Sequence, residues 1–339
     1  MAGKIPVTLV TGFLGSGKTT LIGKLVQHPD MNRVAVVINE VGEIGIDHDL
    51  VTMTSENITL LANGCICCSV RTDMQETLRE LFSQRRAGLM IDFDRVVIET
   101  TGLADPAPVI QTLVSDTLLG AQYRLDGVVT LVDAVNGGHQ LESQPEAIKQ
   151  IALADRIFIT KQDIATQATI DELTQSVMAL NPTAKMSYLL NGEIDPYELM
   201  NLGLGSARVS ASTLQFLGED LQATDTPPQE RYLGAKRAKH DPAIATLSLR
   251  FEKPFSWTAF SSALDLLSSL RGPDLLRVKG IVNVDGKPVV VQGVQHIFHP
   301  PVSLDRWPSA DTDSRLVFIT RNISADTIRG LFLAVTSLA

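Results

Sequence analysis

The chain has 339 residues, 44% hydrophobic and 20% charged, with a formal net charge of −9. That length accommodates two domains, one of them large, and the composition is that of an ordinary globular protein. The acidic balance argues against nucleic acid or an anionic membrane as partner, and no apolar run reaches the roughly 18 residues of a membrane span.

The chain opens with "IPVTLVTGFLGSGKTTL", a strand over Val7–Thr11, a glycine-rich loop and a helix over Lys18–Gln27. Gly12 to Thr19 matches G-x-x-x-x-G-K-[ST], and a strand before it with a helix after it is the context that motif needs. Glycines let successive backbone N–H groups turn toward phosphate oxygens, and the helix N-terminus adds its partial positive charge. Gly12, Gly15, Ser16, Gly17, Lys18, Thr19 and Thr20 are the expected nucleotide-binding residues. Lys18 reaches the β- and γ-phosphates in this pattern, and the Thr19 hydroxyl ligates Mg²⁺.

A strand over Val34–Ile38 leads into "INEVGEIGID", whose Glu40–Asp47 portion has the carboxylates and glycines of a nucleotide-sensing switch, or of a solvated loop. Next comes "GCICCSV", which holds all three cysteines of the chain, Cys65, Cys67 and Cys68. Three thiols cannot all pair within one chain, so a disulfide framework is excluded and a reducing, cytoplasmic compartment is expected. A core role does not explain three together beside Gly64. Cys65 and Cys68 could form a C-x-x-C redox pair. The favoured reading is three thiolates in a short loop, most of a tetrahedral Zn²⁺ site.

A helix over Thr72–Arg85 precedes a strand over Arg95–Glu99, which ends in "ETTGLADP". Glu99 stands where a P-loop protein holds Mg²⁺ or its waters, and the Gly102 N–H is placed to contact a γ-phosphate and pivot when it leaves. Helices over Pro106–Leu118, Pro145–Ala152 and Ile170–Leu180 alternate with strands over Gly127–Asp133, Arg156–Thr160 and Lys185–Tyr188. Such alternation indicates a mostly parallel sheet flanked by helices, a P-loop NTPase of the α/β class. "TKQD" closes one of these strands, with Lys161 and Asp163 in the places of a guanine-reading Asn-Lys-x-Asp and Thr160 replacing the asparagine. A carboxylate there accepts from guanine N1–H and its 2-amino group, which adenine cannot match. GTP is therefore the expected nucleotide. No catalytic base or arginine finger is evident, so slow intrinsic hydrolysis is expected.

Periodicity loosens after the sheet. The expected division is a G domain over 1–211, a linker over 212–243 and a small α+β domain over 244–339. The last begins with a strand over Ile244–Phe251 and a helix over Ser256–Leu270. A hairpin turning at Asp285-Gly286 follows, then a strand over Leu316–Thr320 and a helix over Ala325–Val335. His296 and His299 in "QHIFHPP" could be two ligands on one turn or packing at a strand end. His28, His48, His139 and His240 are scattered, no histidine-rich tract supports metal storage, and Trp257 and Trp307 read as packing residues.

With "GFLGSGKTTL", "NEVGEIGID", "NGCICCSV", "ETTGLADP", "LVDAV", "TKQD", "VQGVQHIFHPP" and "SRLVFI" in this order, the chain resembles the CobW-type GTPases over nearly its whole length. Val41 departs from the phenylalanine usual in that family. The resemblance implies a GTP-hydrolysing metal chaperone or insertase, with zinc first and cobalt second as cargo, and a client metalloprotein as partner. It also brings the switch-like segment near the cysteines, which makes Glu43 the candidate fourth ligand, and makes a homodimer an expectation. Two other readings stay open. One is a P-loop kinase or transferase with structural cysteines, the other a C-x-x-C redox regulator.

Overall fold

A slab of parallel strands occupies the N-terminal part of the chain in the computed structural model, which describes residues 3–31, 33–38, 51–55, 58–61, 66–69, 74–200, 202 and 244–338. Its elements are β1 (Ile5–Gly12), α1 (Lys18–Gln27), β2 (Val34–Ile38), β3 (Val51–Ser55), β4 (Ile58–Leu61), β5 (Ile66–Ser69), α2 (Met74–Arg86) and β6 (Arg95–Glu99). They continue with α3 (Pro106–Ser115), α4 (Thr117–Gln122), β7 (Tyr123–Asp133), α5 (Gly137–Ser143), α6 (Pro145–Ala152), β8 (Arg156–Thr160), α7 (Gln167–Leu180) and β9 (Lys185–Leu189). The strand order is β3-β4-β5-β2-β6-β1-β7-β8-β9. From β5 to β8 the six neighbouring strands are parallel, while β3, β4 and β5 pair antiparallel. The middles of β2, β6 and β8 are apolar and buried, and β7 is buried at every position but Arg124, as a sheet covered on both faces requires. The expected P-loop α/β architecture is what forms.

Three departures from the sequence reading have physical causes. The helix expected over Pro106–Leu118 is two helices, because Asp116 leaves the helical conformation and accepts from the N–H groups of Leu118 and Leu119 at 2.9 Å each, capping α4. β7 starts at Tyr123 rather than Gly127, and a register shift between Val7 and Thr8 of β1 accommodates the longer pairing. The cysteine segment, expected as a loop, is in part a strand. Cys67 and Cys68 stand opposite Val36 and Val37 of β2 and opposite Thr59 and Ile58 of β4.

One buried ion pair lies at the end of this sheet away from the glycine loop. Arg95, at the start of β6, donates to Asp126 of β7 at 2.5 Å with both side chains buried, and Arg124 adds a second bond to Asp126 at 3.1 Å.

The second sheet is antiparallel, and its elements are β10 (Ile244–Phe251), α8 (Trp257–Arg271), β11 (Leu275–Val284), β12 (Lys287–Val294), β13 (Ile297–Phe298), β14 (Val302–Ser303), β15 (Ser314–Arg321) and α9 (Ala325–Leu338). Its order is β10-β15-β11-β12-β13, with β14 also on β12. The Asp285-Gly286 turn joins β11 to β12 with φ of 51° and 84°, the left-handed pair that tight hairpins favour. Phe251, Phe255, Phe260, Phe318 and Phe332 pack together between this sheet and α8 and α9. By contacts the chain divides into two compact units: Met1–Gln140 with Ala154–Asp171 and Met186–Gly203, and Leu141–Leu153 with Glu172–Lys185 and Leu204–Ala339. Within the second, Arg277 Nη1 donates to the Leu153 carbonyl at 3.0 Å and so caps the C-terminal end of α6. The expected linker, 212–243, lies outside the described residues.

Candidate functional site

The glycine loop sits at the C-terminal edge of the parallel sheet, between β1 and α1, where open α/β sheets take their ligands. A Cβ on Gly12 would lie 2.5 Å from the Leu131 carbonyl oxygen, so nothing larger than glycine fits there. Gly17, with φ of 95°, caps α1 and brings no side chain to its N–H groups. Most helices fill that place with Ser, Thr or Asp; here the N-terminal dipole is left for an anion. Lys18 is buried, and its ammonium donates to the Gly12 carbonyl at 2.9 Å and the Phe13 carbonyl at 3.3 Å. It is thus already folded over the loop, and phosphate oxygens are stronger acceptors for it than carbonyls. Thr19 and Thr20 are exposed and Ser16 is buried.

β6 delivers the next group. Its last residue, Glu99, is buried and stands opposite Val10 of β1 and Ile38 of β2 in register. Beyond it, the Thr100 N–H donates to the Val10 carbonyl at 2.9 Å and the Thr100 hydroxyl to the Thr11 hydroxyl at 2.8 Å. Gly102 then runs against the glycine loop so closely that a Cβ would meet the Leu14 backbone N at 2.7 Å. Glu99 and Gly102 are therefore carried to the phosphate loop by the pairing of β6 with β1.

On the other side, β8 ends at Thr160. Its hydroxyl lies 2.8 Å from the Ser16 carbonyl and 3.3 Å from the Val132 carbonyl, so its one proton goes mainly to the glycine loop. Lys161 has a φ of 58°, and its ammonium donates to Asp133 Oδ2 at 2.7 Å. Asp163 is exposed. Asp133, buried at the end of β7, also accepts from the Val135 N–H at 2.8 Å, the Asn136 N–H at 3.2 Å and Asn136 Nδ2 at 3.0 Å. Burial pushes its carboxyl up, but the bonds from Lys161, Asn136 and the two backbone N–H groups outweigh that and hold it below the ordinary carboxylate value. No role for Asp133 was assigned from sequence. The visible signal was an acid ending the apolar strand in "LVDAV".

The metal candidates divide differently. Cys65 and Glu43, like the segment Glu40–Asp47, lie outside the described residues. Cys67 and Cys68 are described in backbone only, as the middle of β5. Among the described residues no group of three or more His, Cys, Asp and Glu is placed to hold a metal. His296 is exposed and the His299 N–H donates to the Gln292 carbonyl at 3.1 Å. Trp257 packs beside Phe260, and the Trp307 indole donates to the Gly286 carbonyl at 3.4 Å.

Comparison with known proteins agrees with this layout. Residues 6–188 match the family described as CobW/HypB/UreG, nucleotide-binding domain, and residues 244–336 match the cobalamin synthesis protein cobW C-terminal domain. The chain is 34% identical to the zinc chaperone YjiA of Escherichia coli over 97% of its own length and 98% of that protein's. It is 29% identical to the zinc-regulated GTPase metalloprotein activator 1 of Schizosaccharomyces pombe, over 94% of this chain and 83% of the relative. Among solved structures, that of the Zn(II)-bound YjiA GTPase from E. coli superposes with a TM-score of 0.77 at 31% identity, covering 98% of this chain and 99% of the other. The chain belongs to the CobW/HypB/UreG family of nucleotide-binding proteins, in the branch that carries the CobW C-terminal domain.

Proposed function

We propose, from that membership, that the protein is a GTP-hydrolysing zinc chaperone of the reducing cytoplasm. It carries the ion on Cys65, Cys67 and Cys68 with Glu43 and passes it to a client apoprotein as its nucleotide changes. The observation that carries the reading is one of register. β2 lies between β5, which holds Cys67 and Cys68, and β6, which ends in Glu99 beside the phosphate loop. Relatives named as zinc chaperones and zinc-regulated GTPases support the same cargo and nucleotide. On this reading the G domain ends near residue 211 and the C-terminal domain begins near 244.

Gly12, Gly15, Gly17 and the start of α1 orient the phosphates. Lys18 neutralises charge on the β- and γ-phosphates, and Lys161 and Asp163 select guanine. The Gly102 N–H meets the γ-phosphate, so the segment after β6 follows hydrolysis. The residues fit a magnesium ion as well: the exposed Thr19 hydroxyl and the buried Glu99 carboxylate both belong to this edge of the sheet. Magnesium bound with GTP supplies positive charge to the phosphate oxygens. Three thiolates and one carboxylate make a site that can lose an ion when the segment bearing the carboxylate moves.

The test is titration of the purified protein with Co²⁺ and Zn²⁺, with and without a non-hydrolysable GTP analogue. Thiolate–cobalt absorption is expected, competed by zinc, with an affinity that depends on the nucleotide and falls in Cys67→Ala. Absence of that absorption, or indifference to Cys67→Ala, sinks the chaperone reading and favours a P-loop transferase. A reversible Cys65–Cys68 disulfide in place of a bound ion favours a redox regulator.

A further inference from the structure

We infer that Asp133 is a positioning residue of the nucleotide site: it holds the Lys161 side chain in the pose in which its stem lies over the bound base. The inference rests on the reading of Lys161 and Asp163 as guanine-recognition residues and adds to it Asp133, which lies outside the Asn-Lys-x-Asp pattern.

Three features meet at this pair. β7 and β8 are parallel neighbours in a register that sets Asp133 opposite Thr160, so the carboxylate faces the turn that begins at Lys161. Lys161 enters that turn with a φ of 58°, a conformation that non-glycine residues adopt only when the surroundings compensate. Those surroundings include the 2.7 Å bond from its ammonium to Asp133 Oδ2 and the Ala134 N–H bond to the Thr160 carbonyl at 2.9 Å. The third feature is the phosphate loop. The ammonium lies 4.0 Å from the point where a Cβ on Gly15 would stand, so the side chain crosses the space between strand end and loop. A lysine with four rotatable bonds and an exposed tip samples many rotamers. Tethered at its tip to a buried carboxylate, it presents one face of its methylene stem, and less freedom is lost when a purine arrives.

Asp133 also accepts two backbone N–H bonds, which is a purely structural role, so the test must separate the two. Asp133→Asn keeps a carbonyl oxygen for those N–H groups and removes the acceptor for the ammonium. Lys161→Met keeps the apolar stem and removes only the ammonium. GDP and a non-hydrolysable GTP analogue are titrated into the intact protein and into both single variants and the double variant, and the melting midpoint of each is recorded. Each single variant is expected to weaken both nucleotides by about tenfold, the size of a lost charge-assisted hydrogen bond. The double variant is expected to be no weaker than Lys161→Met alone, and the loss in turnover to fall on KM rather than kcat.

Losses that multiply in the double variant overturn the inference, because Asp133 then acts independently of Lys161. Parental affinity in Asp133→Asn overturns it too. Should Asp133→Asn fail to fold, Lys161→Met decides alone: parental affinity there means that the tether does nothing. A failure of the underlying guanine reading looks different, since Asp163→Ala would then bind GDP as well as the parent does.

Discussion

The Thr160 hydroxyl donates to the Ser16 carbonyl across 2.8 Å, which joins the end of β8 directly to the loop between β1 and α1. The residue that replaces an asparagine in the base-recognition pattern is therefore not a gap in the site. Its side chain reaches the phosphate loop with the one donor it has, and the carbonyl it serves is buried.

Thr160→Val keeps the shape and removes that donor. Leaving a buried carbonyl without its partner costs about 1–3 kcal/mol, so the melting midpoint should fall, and GDP and GTP should both bind several-fold more weakly. Calorimetric titration with GDP checks this. Unchanged affinity together with an unchanged midpoint would show that the bond is dispensable.

Gly102→Ala tests the contact between the segment after β6 and the glycine loop. Its methyl group would overlap Leu14, whose backbone N stands 2.7 Å from the added carbon, so one of the two segments must shift. Turnover is expected to fall at least tenfold while the fold survives, because a displacement of order 1 Å is enough to misplace reacting groups. Steady-state phosphate release measures it, and parental kcat in Gly102→Ala counts against the assignment.

The Arg95–Asp126 pair lies at the opposite end of the sheet and should behave as a stability element alone. Removing one partner strands a buried charge, at a cost of about 3–5 kcal/mol. Asp126→Ala is expected to shift the urea midpoint strongly, whereas the double change Arg95→Met with Asp126→Leu should recover much of the loss. Nucleotide affinity of the folded fraction should stay at the parental value in the double variant; a drop would link this end of the sheet to the site.

Asp133 also sets a pH dependence. Its folded carboxyl is held below the ordinary value of 3.8, so it contributes stability that is complete above the unfolded value and is lost as pH falls through the folded one. The melting midpoint should therefore be insensitive to this group from pH 5 to 8 and should drop below about pH 4. In Asp133→Asn the part of that acid limb due to this carboxylate disappears. An acid limb of parental steepness in the variant would contradict the assignment.

What sequence made legible depended on how local each cause is. Gly12, Gly15, Gly17 and Lys18 are readable because one strand, one loop and one helix contain the whole phosphate cradle. Asp133 is not, since its partner Lys161 is brought to it by the pairing of β7 with β8. Strand β5 reads as a loop in sequence because Ile66–Ser69 is too short to show a period, and its extended backbone depends on β2 and β4 at either side. The break at Asp116 could be read only by weighing an aspartate's capping bonds against an otherwise continuous helical pattern. The position of the remaining metal candidates turns on Cys65 and Glu43, outside the described residues.

Strand β5 has hydrogen-bonded neighbours on both sides, parallel β2 and antiparallel β4. Its backbone is therefore held by the sheet whether or not an ion is present, unlike small zinc modules that unfold without metal. If the protein carries zinc on these thiolates as proposed, emptying them should leave the architecture standing, so a chelator would produce an empty carrier ready to be reloaded rather than a denatured chain.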